Sequence, residues 1–351
     1  MWNALLLGLP GAAASRLADG PEWLTLALAS ISLLPLARWI GIGTEHVAAR
    51  LGAGLGGLLN ATFGNAAELI ITVFALRAGL VDLVKASLTG SIIGNTLLIV
   101  GCSAFVGGLR HGPQKFDAQA VGRHAAMMIL AVSAMALPAV FGNIVKSAFV
   151  REEVSVGVAI LLLATYAAYI HYSYFSRDAK AAAARAPKEE SRGHGPGVWS
   201  LGKSIGVLGA AVVGTAVASE LLVHAIEPVS KSLGLSQFFL GLVLVPIVGN
   251  VAEHYSAIEF ASRNKMELSL SIAANSSTQI AVFVAPLLVL VSLLFHPMTL
   301  AFAPIELVVL FSSSAIFAYV CLDGETNWLE GALLTLVYAI LAISFFEFVP
   351  A

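Results

Sequence analysis

Two short acidic motifs with the same spacing lie inside apolar stretches of the chain. Residues 64–68 read Gly-Asn-Ala-Ala-Glu, and residues 249–253 read Gly-Asn-Val-Ala-Glu. The asparagine precedes the glutamate by three positions, so a helix presents amide and carboxylate oxygens on one face. Carboxylates are costly inside a bilayer and persist where a cation, a proton or water relieves them. The predicted ion-binding residues are Asn65, Glu68, Asn250 and Glu253.

The two motifs together offer the oxygen ligands that a hard divalent cation prefers. Two carboxylates balance the charge of one Ca²⁺, and neutral oxygens help to fill its roughly six to eight coordination positions. Other polar side chains in the next apolar stretches are predicted to line the same cavity, although such groups also serve as ordinary hydrogen-bond partners between membrane helices. These cavity-lining candidates are Asn95, Asn275, Ser276 and Gln279.

The same carboxylates predict competition between calcium and protons. Burial and mutual repulsion favour protonated glutamates in an empty site, and a bound Ca²⁺ would displace those protons. Glu45 and Glu220 lie near the ends of apolar stretches, where they are candidates for gating or proton entry, with Glu259 and Glu306 as weaker candidates. His254 is a candidate proton relay, but it points about 100° away from Glu253 on a helix, and a backbone hydrogen bond is the alternative.

The composition requires a lipid environment for these groups. The 351 residues are 58% hydrophobic and 11% charged, with a mean hydropathy of +0.88. The apolar runs are continuous, which favours an all-α membrane protein over a β-barrel with its alternating strands. About eleven spans are predicted, at residues 3–18, 23–43, 54–79, 84–107, 123–141, 154–175, 200–226, 235–262, 267–294, 300–322 and 328–349.

The position of the motifs in this series predicts an inverted repeat. They lie in the third and eighth spans, so five crossings separate them and they run through the membrane in opposite directions. Such symmetry is typical of transporters that open one central site to either side in turn. Loops on the side of the N-terminus hold 13 of the 19 Lys and Arg residues, which places that terminus in the cytoplasm. A net charge of −2 gives no reason to expect a nucleic acid partner.

Residues 64–68 and 249–254 resemble the two repeats of the calcium/proton antiporters, the cation exchanger family within the Ca²⁺/cation antiporter superfamily. The resemblance covers nearly the whole chain. It implies that the two glutamates bind calcium or protons in alternation, and it implies one extra N-terminal helix followed by two inverted five-helix halves. The corresponding divisions are residues 1–20 for the extra helix, 21–175 for the first half, 176–199 for a cytoplasmic linker and 200–351 for the second half.

Two departures from the family pattern narrow these expectations. The first repeat has Ala67 where the family commonly has threonine, and the linker is not strongly acidic, which argues against a calcium sensor there. Sodium/calcium exchangers usually have proline directly before the acid. This chain has Ala67 and Ala252 at those positions, which favours coupling to protons over coupling to sodium. A sodium-coupled or manganese-preferring exchanger of the same fold stays an alternative.

Other classes of protein fit the sequence less well. A cation channel commonly assembles several copies around an axis normal to the membrane, which the inverted repeat does not suggest. An intramembrane hydrolase that uses two acids would show paired Asp, His or Ser groups at catalytic spacing, whereas the Asn-x-x-Glu pairs fit an ion site better, so we predict no enzyme. The expected partners are Ca²⁺, protons and the bilayer, with no bound cofactor. The expected location is a prokaryotic plasma membrane, and the oligomeric state, a homo-oligomer included, is left open.

Overall fold

The computed structural model describes residues 2–144, 147–172 and 199–347, so the predicted linker 176–199 lies outside the described residues except at its last position. A 3₁₀ segment, Trp2–Leu7, opens the chain, and a short strand pair joins β1 (Gln114–Lys115) to β2 (Glu325–Thr326). All other regular structure described is helical. The helices are α1 (Gly8–Leu17), α2 (Glu22–Phe63), α3 (Ala66–Arg77), α4 (Val81–His111), α5 (Ala118–Ile144), α6 (Ala148–Ile170), α7 (Leu201–Leu233), α8 (Gln237–Gly249), α9 (Val251–Ser262), α10 (Met266–Ser292), α11 (Pro304–Val320) and α12 (Trp328–Glu347).

The helices have the length and apolar surface of membrane spans, which confirms the predicted all-α membrane fold. Within the described residues, seven helices are long and apolar enough to cross a bilayer, and α8 with α9 makes an eighth if that pair, bent by 62°, is one span. Each of the eleven predicted intervals is largely helical, but eleven crossings stay a prediction. Large apolar side chains point outward along α12, as expected for a lipid-facing helix: Leu329, Leu333, Leu336, Ile340 and Ile343.

The long helical stretch α2 contains two predicted spans joined by a sharp bend. A Cβ built on Gly56 would lie 2.6 Å from the carbonyl oxygen of Ala48. Residues eight positions apart in a straight helix are separated by about 12 Å along the axis, so the helix must fold back between Ala48 and Gly56. The number of residues that separates Glu68 from Glu253 also separates Ala49, in this bend, from Gly234. Gly234 ends α7 in the left-handed backbone conformation.

The two acidic motifs have the same backbone geometry. Asn65 (φ −98°, ψ 17°) interrupts the chain before α3, and Asn250 (φ −103°, ψ 10°) interrupts it before α9. A left-handed residue follows the end of each helix, Gly79 after α3 and Asn264 after α9, and these two positions are related by the same offset as the motifs. Glycine and asparagine are the residues that adopt this conformation most readily. The described residues up to 172 and those from 199 onward, called the two halves below, therefore share local structure as well as sequence.

Glycines let the repeat helices of the two halves pack closely against each other. A Cβ on Gly90 of α4 would lie 2.0 Å from the carbonyl oxygen of Leu242 in α8, and one on Gly241 would lie 2.6 Å from that of Leu83. Small residues at helix crossings allow this approach in membranes. Segments of π-helix interrupt α4 at Gly94–Ile99 and α10 at Ile280–Val284. The first segment contains Asn95, and the second directly follows Gln279.

Candidate cation-binding site

The motif glutamates lie at the beginning of the two interrupted helices. Glu68 is in the first turn of α3 and Glu253 is in the first turn of α9. Helix N-termini carry partial positive charge and unpaired N–H groups, which stabilise a carboxylate. The motifs of the two halves also touch, because a Cβ on Gly249 would lie 3.4 Å from the Cβ of Glu68. The two carboxylates are close enough for their charges to repel.

Glu68 receives a hydrogen bond through a chain that crosses between the halves. The Ser91 hydroxyl of α4 donates to Glu68 Oε1. The Ser91 oxygen in turn accepts from Asn250 Nδ2 of the second half at 3.0 Å. A serine has only one hydroxyl hydrogen, so donation to the glutamate leaves its oxygen free to accept the amide. The amide of one half thus orients the serine that binds the other half's acid.

Glu253 has the corresponding chain with the halves exchanged. The Ser276 side chain of α10 lies close enough to the Glu253 carboxylate to interact with it. Ser276 Oγ accepts from Asn95 Nδ2 of the first half at 2.9 Å. His254 Nε2 lies 3.3 Å from Asn95 Oδ1, an acceptor, so the histidine donates from that nitrogen and fixes the orientation of the amide. A third link across the halves joins Asn65 Nδ2 to Gln279 Oε1 at 2.7 Å.

Several oxygen atoms of the site are buried without a hydrogen-bond donor among the described residues. They include Glu68 Oε2, Glu253 Oε2 and Asn65 Oδ1. A buried carboxylate oxygen without a donor is unfavourable, and a bound cation or proton would relieve it. The described residues contain no group of three or more His, Cys, Asp or Glu that could hold a metal ion. The donors brought together here are two carboxylates and neutral amide and hydroxyl oxygens. This is the ligand chemistry of a hard cation.

The two glutamates differ in exposure. Glu68 is 0% exposed, while Glu253 is partly exposed, as are its neighbours Val251 and Ala252. Ala67, which precedes Glu68, is 4% exposed. Protein atoms therefore cover residue Glu68 more completely than Glu253, although the Oε2 atoms of both are buried.

The remaining predicted residues are not joined to this centre by the contacts described above. Glu45 is exposed on α2, and Glu220 is exposed on α7, where it lines a small cavity with Arg77 and His224. Asn275 is partly exposed, and no hydrogen bond of its side chain is seen within the described residues. The contacts bring together the other predicted residues: Asn65, Glu68, Asn95, Asn250, Glu253, His254, Ser276 and Gln279.

Ser91 is the site residue that the sequence reasoning missed. An alignment of residues 87–95 with 271–279, after a one-residue gap, pairs Ser91 with Asn275. In the structure each serine lies beside the glutamate of its own half: Ser91 donates a hydrogen bond to Glu68, and Ser276 is close to the Glu253 carboxylate. Their separation in the chain equals that of Glu68 and Glu253. Extending the offset of the motifs without a gap would have found Ser91.

Comparisons with known proteins agree with this fold. A family model described as sodium/calcium exchanger protein matches residues 21–175 and 203–346. The chain is 40% identical to a Ca(2+)/H(+) antiporter of Synechocystis sp., covering 97% of this chain and 96% of that relative. It is 39% identical to the Ca(2+)/H(+) antiporter ChaA of Bacillus subtilis, covering 97% and 96%. The structure of native YfkE superposes with a TM-score of 0.85 at 37% identity, covering 99% of this chain and 100% of that one.

The interrupted helices and the buried acids, set in apolar helices, define an integral membrane protein of the cation-exchanger architecture. The chain belongs to the sodium/calcium exchanger protein family. The predicted resemblance to calcium/proton antiporters is confirmed by relatives of that name over nearly the full chain.

Proposed function

We propose that this protein exchanges Ca²⁺ for protons across a prokaryotic plasma membrane, with Glu68 and Glu253 as the shared binding site. The observation that carries the proposal is the pair of motif glutamates brought together by the two halves, each with one carboxylate oxygen buried and without a donor among the described residues. The full-length similarity to two bacterial Ca(2+)/H(+) antiporters supports the same ions.

Competition for one site explains the coupling. Two carboxylates accept either one Ca²⁺ or protons, and both forms remove the cost of buried negative charge. The doubly ionised empty site, with two buried charges that repel, is the least favourable state. The protein therefore changes between its two open conformations mainly when the site holds calcium or protons. Because the empty, ionised site does not make this change readily, calcium moving one way is exchanged for protons moving the other way.

The inverted halves provide the alternation in this proposal. Residues 21–175 and 200–351 are the two halves, and residues 1–20 are the additional N-terminal helix. The matched geometry at Asn65 and Asn250 supports this division, as do the two separate segments of the family match. Equivalent motions of two inverted repeats open a central site to each side in turn. Glu45 and Glu220 are proposed to contribute to the gates at the two ends.

Calcium uptake into proteoliposomes tests the function. An imposed pH gradient and an imposed sodium gradient are compared at clamped membrane potential, with Mn²⁺ as a second cation. We expect uptake driven by the pH gradient alone. The control is the double variant Glu68→Gln/Glu253→Gln, which should give the flux of protein-free liposomes. Uptake that requires sodium would overturn proton coupling while keeping the two-glutamate site.

A further inference from the structure

A second group of charged side chains is buried away from the central site. Glu306, in the first turn of α11, is 2% exposed, although it has no counterpart in the repeat motifs. Lys85 of α4 is partly buried close to it, and each charge attracts the other. A lysine and a glutamate in apolar helices are costly to keep, so their presence requires an explanation.

The contacts of this pair join α4 to the segment that enters α11. Glu306 Oε2 accepts from the Ala303 backbone N–H at 2.8 Å, and Glu306 Oε1 accepts from the Thr89 hydroxyl at 3.0 Å. Lys85 Nζ donates to the Ala301 carbonyl oxygen at 2.9 Å. Lys85 and Thr89 are one turn apart on the same face of α4. Both charged side chains are thus bound to the backbone just before α11, without a direct ion pair between them.

The same helix carries a residue of the central site. Ser91, which binds Glu68, lies six positions after Lys85, about 9 Å along the axis of α4. Other charged groups near the pair are Asp82 on α4 and Arg151 on α6. This distance joins backbone positions, and six helical residues also turn the two side chains about 120° apart, so Lys85 does not face the site directly. In a low-dielectric surrounding, a lysine charge on the same helix still repels a divalent cation unless a negative charge offsets it. Glu306 is the buried group placed to do so.

We propose that Glu306 is a positioning residue of the cation site. It offsets the charge of Lys85 and, through Thr89, holds α4 where Ser91 meets Glu68. This inference rests on the proposed function of the central glutamates. It differs from a simple capping role, in which Glu306 would matter only for its bond to the Ala303 N–H.

The isosteric variant Glu306→Gln separates the two roles. A glutamine can accept from the Ala303 N–H through its carbonyl and donate to the Thr89 hydroxyl through its amide, so only the charge is lost. We expect the KM for Ca²⁺ to rise about tenfold, with the maximal rate within about twofold of the wild type. Lys85→Met/Glu306→Gln, which removes both charges, should return the KM to within about threefold of the wild type.

Two further variants complete the experiment. Lys85→Met alone leaves only negative charge, so we expect a KM no higher than that of the wild type. Glu227→Gln, which removes an exposed partner of Lys231, is the matched control and should not change the KM. An unchanged KM in Glu306→Gln, or a double variant as impaired as the single one, would overturn the inference.

Separate measurements distinguish a variant that folds poorly from a failure of the proposed function. Should Glu306→Gln not be recovered, compensation still requires the double variant to fold and transport, and a double variant that fails equally contradicts it. Thermal unfolding of the wild type, both single variants and the double variant measures the coupling of the pair without any transport assay. If wild-type protein shows no proton-driven uptake, the proposed function fails, whereas a normal wild type with an unaffected Glu306→Gln rejects only the present inference.

Discussion

The two halves of the molecule hold their glutamates in similar but unequal surroundings. Glu68 is 0% exposed, and its carboxylate is approached by Ser91 and by Asn250. Glu253 is partly exposed and is approached by Ser276. An exact two-fold arrangement would give both acids the same exposure. The difference shows that protein atoms cover the side chain of Glu68 more completely than that of Glu253.

The halves also differ beside the glutamates. His254 follows Glu253 and hydrogen-bonds Asn95, while the equivalent position after Glu68 is the apolar Leu69. In the second half a histidine donor therefore fixes the amide that binds Ser276, a role that Leu69 cannot play in the first half. The two repeats therefore share the acid and the serine, whereas the groups that orient them differ between the halves.

Substitution of either motif glutamate has the largest expected effect and tests whether the two acids are equally required. Glu68→Gln and Glu253→Gln should each lower proton-driven calcium uptake at least about 100-fold, because one carboxylate cannot balance a divalent charge in a buried site. Uptake per reconstituted protein is the measurement, with Glu227→Gln as the control. If one variant keeps more than about a tenth of the wild-type rate, the acids are not equivalent and the shared site is wrong in its present form.

Exposure of the two motifs can be compared with thiol labelling. Ala67→Cys and Ala252→Cys place a small thiol beside each glutamate in a background without Cys102 and Cys321. A water-soluble maleimide should modify the cysteine at 252 at least about tenfold faster in the ion-free protein, because Ala67 is buried and Ala252 is partly exposed. Equal rates would indicate that the difference in exposure does not persist in solution.

The serine hydroxyls should matter at an intermediate level. Ser91→Ala removes a hydrogen bond to a carboxylate, an interaction worth about 1.5–3 kcal/mol, and Ser276→Ala removes the hydroxyl that lies beside the Glu253 carboxylate. We expect the KM for Ca²⁺ to change about tenfold or more in each variant, with the protein still folded. Ser204→Ala, which replaces a buried serine that bonds the Ser200 carbonyl at the start of its own helix, provides the control. A normal KM in both site variants would contradict the amide-to-serine chains.

Much of the site follows from the sequence because the chain contains it twice. The repeated motif identifies both glutamates and both asparagines without structural information. The eleven apolar intervals are found largely helical for a similarly simple reason, since continuous apolar runs determine helices in lipid. The bend inside α2, between Ala48 and Gly56, also lies largely in the interval between two predicted spans.

The parts that could not be predicted lack a repeated signal. Lys85 and Glu306 are far apart in sequence, and neither has a charged counterpart in the other half: counted by the offset of the motifs, the equivalents are Leu270 and Val121. Their proximity depends on how α4 packs against α11, which hydropathy does not specify. Ser91 was missed for a different reason. Alignment of the repeats with a one-residue gap pairs Ser91 with Asn275, whereas alignment without the gap pairs it with Ser276.

The smallest effect concerns the residue that distinguishes the halves most clearly. His254→Leu gives the second half the residue of the first, Leu69, and removes the donor to Asn95 Oδ1. The Asn95 amide can then rotate, so Ser276 is oriented toward Glu253 for a smaller fraction of the time. We expect the KM for Ca²⁺ to rise about threefold at an unchanged maximal rate, with partial recovery in His254→Gln, which can donate again. A loss of proton-driven uptake as large as that of Glu253→Gln would instead place His254 on the proton pathway, and the two halves would then differ in mechanism as well as in structure.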